Sequence, residues 1–210
     1  MPLPFTDAQF FAVFAAYNRA IWPAQVTAYV LGALAIALAL KGGARNGRRV
    51  AGVLALFWLW MGVAYHWGHF SQINRLAYLF GAVFVLEGVL LAAVAVRGGV
   101  TFRSRTGPRG ALGLALVAYA AVIYPLIGHA LGHGWPRAPM FGVAPCPTTI
   151  FTVGLLLWAE RVPRELVAIP VLWSLVGASA AVLLGVWEDL GLVVAAGAGA
   201  WMLWRPGGGP

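Results

Sequence analysis

The chain is dominated by long apolar runs broken by short polar connections, with seven runs at about 24–40, 50–70, 77–96, 110–131, 148–160, 165–186 and 189–204. Apolar stretches of about 18 residues or more are the pattern of helices that cross a bilayer. The fifth and seventh runs are short for a core about 30 Å thick. They either borrow flanking residues or sit where the bilayer is thinned. Ahead of the first run, residues 5–22 read as an amphipathic helix lying in the membrane interface. Thr6 and Gln9 have the spacing of a capping box, and Asp7 suits a helix start. Phe10, Phe14, Tyr17 and Ile21 share one face, with Asn18 and Arg19 away from it. Trp22 and Pro23 mark the membrane boundary. The pattern predicts an all-α, polytopic membrane helix bundle: seven transmembrane helices plus an N-terminal interfacial helix, one integral membrane domain over residues 1–204, and a disordered tail over 205–210.

Composition strengthens this reading, since 61% of the 210 residues are hydrophobic and only 10% are charged, against about 25% charged in soluble domains. The net charge of +8 would suggest nucleic acid in a soluble protein. Here the arginines lie in short loops, where they orient the chain and meet anionic headgroups, so we expect the lipid bilayer as partner and no nucleic acid. Lys41, Arg45, Arg48, Arg49, Arg97, Arg103, Arg105, Arg109, Arg161, Arg164 and Arg205 fall on one side of a seven-span topology. Only Arg19, Arg75 and Arg137 fall on the other, which accounts for all 14 cations. The positive-inside rule then predicts a bacterial inner-membrane protein with its N-terminus outside and its C-terminus cytoplasmic. No cleavable signal peptide is visible, and the first span is expected to act as the insertion signal. The single cysteine excludes an internal disulfide.

Candidate chemistry gathers at the predicted outer side. His66 and His69, three apart, end the second span; His129 and His133, four apart, end the fourth. Imidazoles at such spacings share a helix face and suit one metal ion. Pro125 removes a backbone hydrogen bond and should kink the fourth span below its histidine pair. Cys146, between Pro145 and Pro147, opens the fifth span, where a helix N-terminus favours thiolate. The proline-rich loop 134–147 is placed to cap the histidines. Glu87 lies mid-membrane in the third span, where an acid is either a proton-coupling or gating group or a neutral helix linker. Ser174, Ser179 and Tyr119 are its candidate partners. Glu188 and Asp189 read as a solvated turn before the seventh span. The tryptophans read mostly as an interfacial belt, with Trp58 and Trp60 deeper. The only lysine ends the first span, so no mid-membrane Schiff-base site exists. No phosphate-binding loop or nucleophile elbow is present.

The runs from His66-Trp67 to Asn74, Ala77-Tyr78-Leu79-Phe80-Gly81, Gly132-His133-Gly134 and Pro145-Cys146-Pro147-Thr148-Thr149-Ile150-Phe151-Thr152 resemble a bacterial membrane protein family of unknown function, domain of unknown function number 6064. The resemblance covers nearly the whole chain and implies a small multi-helix membrane protein, with no activity attached. Its runs include His66, His133 and Cys146 more clearly than His69 and His129, which favours a smaller His/Cys constellation. The leading expectation is a transition-metal site (zinc, copper or nickel) at the outer face in a transport or sensing role. A membrane-embedded enzyme, either a metal-dependent lipid hydrolase or a haem protein with axial histidines, is the alternative. A structural or assembly partner in a membrane complex is the third reading. A small ion or small-molecule ligand and a homo-oligomer are both compatible with the pattern.

Overall fold

The computed structural model of the protein describes residues 4–103 and 107–204, so Arg105, Arg205 and the expected tail lie outside the described residues. The chain is helical nearly throughout. The capping box forms: the Thr6 hydroxyl accepts from the Gln9 N–H at 3.2 Å, and Gln9 Oε1 accepts from the Thr6 N–H at 2.9 Å. It starts α1 (Asp7–Ala20). α2 (Ala24–Lys41) and α3 (Ala44–Trp60) follow. α3 runs on without a break through a π-helical stretch, Met61–Trp67, and is followed by a 3-10 turn, Phe70–Gln72. Next come α4 (Ala77–Arg97), a two-residue strand β1 (Thr101–Phe102) and α5 (Pro108–Ala118). A second π-helical stretch, Tyr119–Ile123, leads into α6 (Tyr124–Ala130). The remainder is α7 (Pro145–Leu156), β2 (Ala159–Arg161), α8 (Glu165–Leu184), a 3-10 turn Trp187–Leu190, and α9 (Gly191–Trp204).

Five helical runs are long and apolar enough to cross a membrane: Ala24–Lys41, Ala44–Gln72, Ala77–Arg97, Pro108–Ala130 and Glu165–Leu184. The other two expected spans are shorter, α7 with 12 residues and α9 with 14. At 1.5 Å per residue α7 is only about 18 Å long. It differs from a lipid-facing span in a second way, because every described residue from Thr148 to Leu156 is buried. A helix wrapped by protein does not have to match the hydrocarbon thickness. α7 is the axis of the bundle. Its threonines explain why it tolerates that position: Thr152 Oγ1 donates to the Thr148 carbonyl (2.8 Å) and accepts the Trp58 indole N–H (3.1 Å). The long helices instead turn large aliphatic side chains outward, among them Val30, Leu79, Leu86, Leu172 and Leu183.

Contacts sort the connections into two ends. At one end Gly43 bridges Phe102, β1 pairs antiparallel with β2, and Arg103 pairs with Glu160 at 3.0 Å. Arg48 caps the carbonyls of Ala95 and Val96 there, and Arg109 reaches the Ala159 carbonyl. This end carries the cationic loops. The small sheet, absent from an all-helical expectation, forms because these loops lie side by side and their backbone groups pair with one another. At the opposite end α1 docks on the 134–147 loop. Tyr17 donates to the Val143 carbonyl (2.8 Å), and Asn18 donates to the carbonyls of Pro136 (2.7 Å) and Ala138 (2.8 Å). Asn18, expected to face away, is fully buried. α1 is therefore a lid held by polar anchors as well as by its apolar stripe.

Pro125 acts where expected. It has no N–H to give the carbonyl four residues earlier, that of Ala121, and the helix relaxes into the π-helical stretch just ahead of it. The freed Ala121 carbonyl accepts the Tyr29 hydroxyl at 3.1 Å. The other π-helical stretch packs against α4 at closely approaching glycines: a Cβ on Gly62 would lie 2.9 Å from the Gly81 carbonyl oxygen. Small residues at such crossings let membrane helices approach closely.

Candidate functional site

The four histidines and Cys146 all lie toward the α1 end, but they fall into separate environments. His69 gives its Nδ1 to the Ala64 carbonyl at 2.9 Å and sits edge-on to Tyr17. His129 is exposed. His133 stacks on Phe11, with ring centroids 4.0 Å apart, and its Nδ1 lies 3.4 Å from Glu188 Oε1. Among the described residues no three His, Cys, Asp or Glu side chains come together as a place for a metal ion. The expected shared site is not formed, because the π-helical twist turns His66 into the bundle while His69 bonds its own helix. α6, which bears His129, ends at Ala130, short of His133, so the two do not share a helix face.

His66 and Cys146 do meet, in the wall of one cavity of about 170 Å³ beneath α1. His66 is completely buried, and neither ring nitrogen has a hydrogen-bond partner. Rings surround it: Phe84 at 4.6 Å, Trp173 at 5.2 Å and Phe80 at 6.0 Å between centroids. Buried polar atoms are almost always paired, so an unpaired imidazole on a cavity wall is the mark of a site. Phe5, Phe10, Phe14, Tyr65 and Phe70 close the cavity from the side of α1 and the 3-10 turn. Its mouth is made by Leu76, just ahead of α4, and by Val176 and Leu183 of α8, all three exposed, with Ala180 of α8 lining the cavity between them. The cavity therefore opens sideways, between two of the long apolar helices.

Asp189 lines the same cavity. Glu188 and Asp189 are not a solvated turn: both are buried. Gly185 adopts a left-handed conformation (φ 68°), which turns the chain sharply at the end of α8 and carries the next residues back into the bundle. Asp189 accepts the Tyr124 hydroxyl, and the Cys146 thiol lies beside it. Burial pushes the Asp189 carboxyl up from 3.8 to about 7, with those two groups pulling the other way and Glu188 adding to the rise. Cys146 thus opens α7 as expected, but its thiol lies beside the carboxyl. The helix end alone does not decide its state. Glu188 has no hydrogen-bond partner for either carboxylate oxygen and only His133 nearby as a candidate cation.

Glu87 stands apart from this site. It is buried in α4, and neither carboxyl oxygen has a partner. None of the expected partners reaches it: Ser179 donates to Val176, Tyr119 donates to the Glu188 carbonyl, and the Ser174 hydroxyl is itself unpaired.

Sequence reasoning read Asp189 as part of a solvated turn and did not single out Trp173 or Tyr124. One signal was available for the acid. The connection between two strongly apolar runs is only a few residues long, and a turn that short has little room to leave the bundle.

No curated protein and no solved structure matches the chain. A family profile described as "Family of unknown function (DUF6064)" matches residues 7–206, nearly its full length. The chain belongs to that family.

Proposed function

We propose that this is an integral protein of a bacterial inner membrane that binds a lipid-soluble small molecule in the cavity beneath α1. The ligand reaches it sideways from the bilayer, between α4 and α8. The observation that carries this reading is the fully buried, unpartnered His66 on the wall of a ring-lined cavity whose mouth is built from exposed aliphatic residues. A ligand group that bonds the imidazole would satisfy it. The space suits a ring-sized group, since a cavity of about 150 Å³ lined by apolar side chains holds benzene; the rest of such a ligand stays in the lipid.

In this reading α7 and α9 complete seven crossings, α1 lies outside and the cationic end is cytoplasmic, in keeping with the positive-inside rule. The metal-transport role drawn from the histidines finds no support in their separate placements, and the five candidate ligands reduce to His66 and Cys146.

A photoreactive alkyl diazirine in native membranes tests the binding site. Adducts are expected on the segments around His66 and Trp173, and they are expected to vanish in Ala180→Trp, which plugs the mouth. Adducts spread evenly over the outer faces and unchanged by Ala180→Trp would overturn the reading. Reporters joined after Gly43 and after Trp204 should both be cytoplasmic.

A further inference from the structure

The cavity has a charge character as well as a shape. Among the described residues no lysine or arginine lines it, and Asp189, 3% exposed, does. Its neighbour Glu188 is fully buried, with His133 Nδ1 3.4 Å from its Oε1. An ionised acid lining an apolar cavity, with a second acid beside it, repels an anion, and burial leaves little water to screen it. A neutral ligand would give the Asp189 carboxylate no counter-charge. A cation would find three matching features: a carboxylate, an imidazole nitrogen free to accept an N–H, and the faces of Phe10, Tyr65, Phe80 and Trp173.

We infer that the cavity takes a lipophilic amine. A protonated primary or secondary amine on a ring-sized head lies between Asp189 and His66, and an alkyl chain runs out past Leu76 and Leu183 into the bilayer. This rests on the lateral-binding reading above and names the chemistry of its ligand. The groups facing Asp189 are Tyr124, Cys146 and Glu188, with Tyr65 and His66 across the cavity. None brings a fixed positive charge. Asp189 titrates near neutrality because it is buried, so an arriving cation draws it to the carboxylate.

The test uses the full chain in phosphatidylcholine nanodiscs at pH 7.5 and three probes of matched shape: N-dodecylbenzylamine, N-dodecylbenzamide and 4-dodecylbenzoate. Binding is measured by equilibrium dialysis against empty discs. The amine is expected to bind at least about tenfold more tightly than the amide, with the benzoate weakest. Asp189→Asn should bring the amine to within about threefold of the amide while leaving the amide unchanged. His66→Leu should also weaken the amine, and it serves as the second variant if Asp189→Asn does not fold. Ala180→Trp should abolish binding of all three. If amide or benzoate binds as tightly as the amine, and Ala180→Trp still abolishes binding, the cation inference is overturned and the lateral pocket stands. If none binds above empty discs, or binding survives Ala180→Trp, the pocket reading falls and takes this inference with it.

Discussion

Replacing His66 by leucine should make the protein more stable. The wild-type imidazole is completely buried, and both nitrogens lack partners. Each unpaired buried polar atom costs about 1–3 kcal/mol. A neutral ring carries one donor and one acceptor, so removing both gains roughly 2–6 kcal/mol on that scale. Against this stands the loss of the closest ring contacts, with Phe84, Tyr65 and Trp173, worth about 0.5–1.5 kcal/mol each. Leucine is close enough in volume to avoid overpacking, which phenylalanine is not. The net is a gain of about 1–2 kcal/mol, or a rise in Tm of roughly 2–8 °C for a chain of this size. The assay is thermal unfolding of both proteins in the same nanodiscs without added ligand. A fall in Tm of more than about 2 °C would refute the reasoning. It would mean that the imidazole has a structural partner in the folded protein and is not held in reserve for a ligand.

The remaining predictions concern the lid, the kink and the acid. Asn18→Ala removes two side-chain donors to buried carbonyls of the 134–147 loop and should loosen α1 by about 2–4 kcal/mol, seen as faster amide exchange over residues 7–20 with little change in α7. Tyr29→Phe leaves the Ala121 carbonyl unpaired and should lower stability by about 1–2 kcal/mol; no change would mean that the π-helical stretch satisfies that carbonyl by itself. Asp189 has a folded pKa raised from 3.8 to about 7, so its contribution to stability is full below about pH 4 and is lost as pH rises through 7. Tm should therefore decline between about pH 4 and 7 and level off above, and Asp189→Asn should flatten that decline.

The sequence was most informative where one physical demand acts along the chain. Apolar runs long enough for hydrocarbon specify helices whatever their neighbours do, because no other open segment pairs its own backbone groups in lipid. That is why the helices appear at the expected runs, and why the cationic loops of α2–α3, α4–α5 and α7–α8 share one end. The capping box at Thr6 and Gln9 and the proline effect at Pro125 were equally legible, since each is a matter of a few consecutive residues. Neighbour-dependent features were not. The run at 148–160 looked like another lipid-facing span because the sequence does not say what surrounds a helix; packing made it the short central axis. Asn18 looked like a solvent-facing residue until the 134–147 loop brought it two carbonyls.

The candidate site divides in the same way. Sequence placed the histidines and Cys146 at one end of the bundle, since successive long helices joined by short loops run in opposite directions. It did not determine which of them would meet. Tertiary structure decided that, through the π-helical twist that turns His66 inward and the left-handed turn at Gly185 that folds Asp189 back beside Cys146. Hydropathy is a property of each residue and accumulates along the chain. A cavity is a property of side chains from α1, the Met61–Trp67 stretch, α4, α7 and α8 at once, so no single stretch of sequence contained it.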